Sequence, residues 1–210
     1  MVVIPGSELL AATLNVVSQS LQIPVIIFLL IFAIFAVFAF GGLISDYKTR
    51  VRLTRNYKEE LIFSLVNAEG VSELKNIIKG SKIYDSQKEV LLKIADSHSL
   101  SDESREAWAL NLIEEEEVVM AKSLEKVDIV TRIGPTLGLM GTLIPMGPGL
   151  AALGSGDVTT LANAIIVAFD TTVVGIGSGA VAYVISKIRR RWYEEYLSDL
   201  DALTDTILDK

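Results

Sequence analysis

The 210-residue chain contains no cysteine, which excludes disulfides, thiolate metal sites and cysteine nucleophiles. Its single histidine, His98, sits in an expected turn, so there is no histidine pair with metal spacing, and no Ser/His/Asp set is available. No glycine-rich phosphate loop follows a strand, and no β-type alternation appears in the polar insertion between the first two apolar segments. These absences point away from an enzyme and imply neither a cofactor nor a metal site. The net charge of −7 argues against nucleic acid as a partner.

The most informative absence is that of positive charge. From Ile133 to Ser186 there is no Lys or Arg, and the only charged side chains are Asp157 and Asp170. Two apolar segments lie in this stretch, and the second carries Asp170, which is expected to be a buried acid. A carboxylate in the middle of a membrane helix costs roughly 2.5–3.5 kcal/mol on insertion scales, so it persists mainly where it lines a pore or meets a partner. Asp170 is therefore the first functional candidate.

Half of the residues (50%) are hydrophobic, and their distribution decides the class of protein. Ile23–Ile44 is uncharged and, at 1.5 Å per residue, spans a hydrocarbon core of about 30 Å. A signal peptide would need a basic start, whereas the first Lys or Arg is Lys48, so this segment is expected to stay in the mature protein. With further spans at 133–153 and 161–186, joined by the short loop 154–160, the chain crosses a membrane three times. Basic residues cluster after span one (Lys48, Arg50, Arg52, Arg55, Lys58), before span two (Lys122, Lys126, Arg132) and after span three (Lys187, Arg189, Arg190, Arg191). All three clusters fall on one side, the cytoplasm by the positive-inside rule. The expected topology is a multi-pass protein of the plasma or inner membrane, with its N-terminus outside and its C-terminus cytoplasmic.

The fold class is thus all-α, with long helical extensions of the spans forming a cytoplasmic bundle. Residues 1–22 read as an amphipathic segment on the outer face, because Leu10, Leu14, Val17 and Leu21 follow a helical period; a longer first span is the alternative. The polar insertion 45–132 suggests helices over 57–68, 71–79, 85–97 and 102–131, with Asp85 and Ser101 as N-caps. No breaker separates the last of these from span two. After span three, Trp192, Tyr196, Leu200, Leu203 and Ile207 hold a helical stripe through the cytoplasmic segment 187–210. The run Glu114–Glu117 reads as the solvated face of a long helix, with a cation funnel as the alternative.

In span two, Pro135, Gly138, Thr142, Pro145 and Gly149 form a stripe of small or kinking residues, opposite Leu137, Met140 and Ile144. Small residues let another backbone approach closely, and prolines leave carbonyls free. In span three Thr172, Gly175 and Gly179 share one face, while Asn163, Asp170 and Gly177 share another. Asp170 lies roughly 13–14 Å below the outer end of its span, near mid-membrane. The membrane threonines have a plain alternative role, bonding back to their own helix, and Asp170 a structural one between subunits.

At these residues the chain resembles the MotA/TolQ/ExbB family of ion-channel and stator proteins, and is most similar to its ExbB and TolQ members. The family pattern P-x-x-G-L-x-G-T is matched by Pro135, Gly138, Leu139, Gly141 and Thr142, and the third-span pattern T-x-x-G by Thr172 and Gly175. The resemblance implies a homo-oligomer, a pentamer, around a single-span partner of the ExbD/TolR/MotB type. It also implies that Thr142 and Thr172 line the ion path; Asp170, read from the residues themselves, is expected to join them and to take over the electrostatic task of a family acid that is missing here. Pro135, Gly138, Gly141, Pro145, Gly175 and Gly179 would then serve helix packing and kinking. The implied function is an H⁺- or Na⁺-conducting subunit of a membrane motor; the alternative is a non-conducting scaffold. Two departures stand out: the family's acid five residues before the third-span threonine is Val167 here, and the Gly three residues after the second-span threonine is Pro145.

Overall fold

The computed structural model describes residues 7–51 and 53–209. Residues 1–6 of the amphipathic segment, Arg52 of the first basic cluster and the C-terminal Lys210 lie outside the described residues. Helices α1 (Ser7–Ser20), α2 (Gln22–Thr49), α3 (Arg55–Val66), α4 (Val71–Gly80) and α5 (Asp85–Asp96) are followed by a short 3₁₀ turn, Ser97–Ser99. Two long helices complete the chain, α6 (Asp102–Gly154) and α7 (Val158–Leu208), and no strand occurs among the described residues. The helix pair α1–α2, α6 and α7 are each long and apolar enough to cross a membrane. The chain divides into two compact units, Met1–Ile44 with Glu125–Lys187 and Ser45–Leu124 with Ile188–Lys210.

The first unit holds the apolar parts of α2, α6 and α7. Its α2 buries Val25 and Leu29 against Ile144 of α6, with Leu137 and Val174 packed beside them. Another side of α2 is exposed and oily: Ile27, Phe28, Ile31, Ile34, Val37 and Phe38 are each more than half exposed. A continuous apolar surface of this kind marks a membrane contact rather than a soluble exterior. Helix α6 runs unbroken through Pro135, Pro145 and Pro148.

Between α6 and α7 the chain turns at Gly156, whose φ of 86° is a left-handed value that favours glycine. Asp157 starts α7: its Oδ1 accepts the Thr160 backbone N–H at 3.0 Å and its Oδ2 the Thr160 hydroxyl at 2.5 Å. These bonds hold the Asp157 carboxyl below the usual aspartate range. Of the two acids in the cation-free stretch, Asp157 therefore has an ordinary capping role.

The second unit is a helical bundle around one core. Leu65 of α3, Leu91 and Ile94 of α5 and Leu200 of α7 are completely buried, joined by Ile78 of α4 and Leu112 of α6. Burying each such side chain stabilises the bundle by about 1.5–3 kcal/mol relative to leaving it exposed. The stripe on the end of α7 meets this core through Tyr196, Leu200, Leu203 and Ile207, while Trp192 is half-buried. Arg50 lies over the Trp192 ring, 5.1 Å from its centroid, and pairs with Glu195; Lys58 pairs with Asp199, and Arg189 with Asp46 at 2.7 Å. At α5 the expectation is corrected: Asp85 is the first helical residue, and Tyr84 occupies the N-cap. Asp85 instead pairs with Lys88 at 3.1 Å, a first-turn position that suits an acid beside the positive end of the helix. Ser101 does cap α6, accepting the Ser104 N–H at 3.4 Å.

Tyr196 anchors a polar cluster inside this core. Its hydroxyl bonds Ser86 at 2.7 Å and donates to Glu116 at 3.0 Å, while the completely buried Gln87 donates to its carbonyl at 3.0 Å. Glu116 thus has a structural partner within the acidic run. Burial pushes the Tyr196 phenol well above its ordinary range, and the Glu116 charge adds to this. Because the folded state holds this proton longer, stability is fully present below about pH 10 and falls as pH rises further, by about 1.4 kcal/mol per pH unit. Tyr196→Phe is therefore expected to cost about 1–2 kcal/mol at neutral pH and to flatten the alkaline limb. Thermal unfolding of both proteins between neutral and strongly alkaline pH checks this, and parallel alkaline limbs would contradict it.

Candidate functional site

The closest helix contact in the first unit is the crossing of α6 and α7, built from residues without side chains. A Cβ added at Gly175 would lie 2.7 Å from both Gly134 O and Gly138 Cα, and 2.9 Å from Gly138 N. One at Gly179 would lie 2.8 Å from Pro135 Cδ, and one at Gly149 2.8 Å from Ala164 Cβ. Backbone therefore lies directly on backbone, the arrangement that small residues permit between membrane helices. Gly141 faces Thr171, whose Cβ and Oγ1 would each be 2.6 Å from an added methyl.

The contact face of α6 is rotated from the one expected. It follows Gly134, Gly138, Gly141 and Gly149 rather than a stripe through Pro135 and Thr142, although Pro135 still packs on Gly179 and Pro145 is buried. The spacing i, i+4, i+7 of Gly134, Gly138 and Gly141 was the available signal, and it was obscured by the neighbouring prolines. The Leu137 and Ile144 side of α6 meets α2.

Thr142 and Thr172 are both half-buried, and each hydroxyl donates to its own helix: Thr142 to Leu139 O at 2.7 Å, Thr172 to Ala168 O at 2.9 Å. The hydroxyl packed into the crossing is instead that of Thr171, which is 7% exposed and donates to Val167 O and Ala168 O at 2.9 and 3.0 Å. Sequence reasoning also passed over Asp128 of α6, whose Oδ1 accepts the buried Ser186 hydroxyl of α7 at 2.5 Å.

Asp170 faces outward from α7 in the single chain. It is exposed on the surface of the single chain, as are Asn163 and Gly177 on the same face, and it makes no side-chain hydrogen bond among the described residues. The reason is geometric: the glycine seam claims the Thr171–Gly175 side of α7, which turns Asp170 away. One helical turn further on, Val173, Val174 and Gly177 line an apolar groove of about 390 Å³ whose other wall is Ala33, Ala36 and Phe40 of α2. The site thus consists of a rigid glycine seam, two threonine hydroxyls bonded to their own helices, and a carboxylate facing outward from a span.

Residues 78–202 match the sequence model of the MotA/TolQ/ExbB proton channel family, a stretch that includes the whole α6–α7 crossing and Asp170. No curated protein matches the chain.

Proposed function

The chain belongs to the MotA/TolQ/ExbB proton channel family, and on that premise we propose that it is the ion-conducting subunit of a membrane motor. In this reading several copies surround a single-span partner whose movement is driven by H⁺ or Na⁺ flow. The observation that carries it is Asp170, a carboxylate exposed on a span with no partner of its own among the described residues. Left facing lipid, such a group is costly, so it belongs against another helix or in a water-filled path. Thr142 and Thr172 lie on the two helices of the seam and supply polar oxygen near that path; the glycine seam holds them in a fixed relation. The positive-inside rule supports reading the basic clusters and the helical bundle as cytoplasmic, with the N-terminus and the 154–157 turn outside.

Moving one charge through 100 mV releases about 2.3 kcal/mol, so a few ions per step can bias the motion of a central partner. The threonine hydroxyls favour a second reading, a non-conducting scaffold, because their donors are already spent on Leu139 and Ala168 carbonyls. Native mass spectrometry of the chain, purified from its own membranes in mild detergent, separates the two. A ring of several copies holding fewer copies of a small single-span protein is the expected result. A monomer, or a ring with no such partner, would favour the scaffold.

A further inference from the structure

In the helical bundle a cleft of about 410 Å³ lies between the first turns of α6 and the last turns of α7. Its rim carries five carboxylates, those of Asp102, Glu106, Asp201, Asp205 and Asp209. Three of them, Asp201, Asp205 and Asp209, recur at i, i+4 and i+8 where α7 ends, and the last turn of α7 has no basic residue. Like charges four apart repel, and acids at a helix C-terminus oppose its dipole, so this end of α7 is folded against its own electrostatics. An approaching cation would relieve both penalties.

The same cleft has two buried polar groups with spare bonding capacity. Arg105 is 9% exposed; one terminal nitrogen donates to Ile207 O at 3.2 Å, but its Nε has no partner, and it pairs with none of the rim carboxylates among the described residues. Thr204 is 2% exposed, and its Oγ1 also has no partner among the described residues. Both atoms are sealed from solvent in the single chain, so an acceptor reaches them only as the side chains lining the cleft shift; once there it would be retained, because buried donors left unpaired are costly.

We propose that this cleft binds a basic peptide segment. Lysine or arginine side chains meet the rim carboxylates, backbone carbonyls accept from Arg105 Nε and Thr204 Oγ1, and the exposed Leu110 and neighbouring Leu208 cover the peptide's apolar atoms. A bare polyamine would satisfy the rim and leave the buried donors empty, whereas an anion would do the reverse. Among the described residues, no group of three acidic or histidine side chains converges closely enough to hold a metal ion. The assignment is independent of the ion-path reading, because every residue in it belongs to the helical bundle.

The test is fluorescence anisotropy on the full chain in lipid nanodiscs, using a labelled, capped peptide of alternating lysine and alanine, with spermidine as competitor. Saturable binding is expected, with spermidine displacing the peptide only weakly. The double variant Asp201→Asn/Asp205→Asn should weaken binding roughly tenfold, the scale of a charge-assisted contact, and yet melt at a higher temperature because the repulsion is gone. Thr204→Val, which keeps the shape and removes only the hydroxyl, should weaken binding several-fold; it also keeps the test open if Arg105 variants fail to fold. Glu114→Gln/Glu117→Gln, exposed and outside the cleft, should bind as the parent does. Absence of saturable binding, equal displacement by spermidine, an equal loss in the Glu114/Glu117 variant, or full affinity in Thr204→Val would each overturn the assignment.

Discussion

Gly175→Ala is expected to destabilise the protein by about 3 kcal/mol, at the upper end for overpacking. The added methyl would meet Gly134 O and Gly138 Cα at 2.7 Å, and both are backbone atoms with no rotamer to move aside. Relief requires α6 and α7 to separate along the seam, which would loosen the contacts on either side. Gly177→Ala is the matched control. It lies two residues away on the same helix with open space around its Cβ direction, and alanine improves helix propensity by up to about 1 kcal/mol. Gly141→Ala should cost about as much as Gly175→Ala, because Thr171 Cβ, 2.6 Å from the added methyl, is fixed by its backbone and no rotamer moves it aside. Denaturant unfolding in detergent, read for all three variants, checks the order. Equal losses at Gly175 and Gly177 would remove the seam as the organising contact.

Asp170→Asn is expected to lower ion-coupled conduction at least about tenfold while leaving the assembled mass unchanged. Asparagine fills the same space, so packing is conserved, but it carries no charge and takes up no proton. Because Asp170 is exposed on the single chain, no internal hydrogen-bond network collapses with the change. Asp170→Glu retains the charge on a longer arm and should keep part of the flux. Thr172→Val should have a smaller effect, since the hydroxyl it removes is bonded to Ala168 O at 2.9 Å and the β-branched shape is retained. Flux into proteoliposomes containing the chain and its co-purifying partner measures all three. Undiminished flux in both Asp170→Asn and Thr172→Val would rule out the channel reading and leave Asp170 a packing residue between subunits.

The helices of this protein are legible in its sequence because each depends on local information. An uncharged run long enough for a bilayer announces α2, and the lack of any breaker after Asp102 announces the unbroken α6. The glycine-rich turn near Gly156 separates α6 from α7, and the stripe from Tyr196 to Ile207 identifies the side of α7 that enters the bundle core. Family membership was also readable, because Pro135, Gly138, Gly141, Thr142, Thr172 and Gly175 keep a pattern of residue types whatever their contacts.

Which side of a helix meets which neighbour was decided only in three dimensions. A stripe of small residues says that a close approach exists, yet prolines and glycines one position apart leave its azimuth open by a large part of a turn. The mutual fit of Gly134, Gly138 and Gly175 settles that rotation, and with it the burial of Thr171 and the exposure of Asp170. The acid-rimmed cleft was equally unreadable. Its walls come from the start of α6 and the end of α7, nearly a hundred residues apart along the chain, and only packing reveals that Arg105 Nε and Thr204 Oγ1 have no partner among the described residues. The sequence by itself determined the helices and the family, because hydrophobic period and residue type are local properties. Tertiary structure alone decided the seam, the outward carboxylate and the cleft, because each depends on which surfaces remain uncovered once the helices have packed.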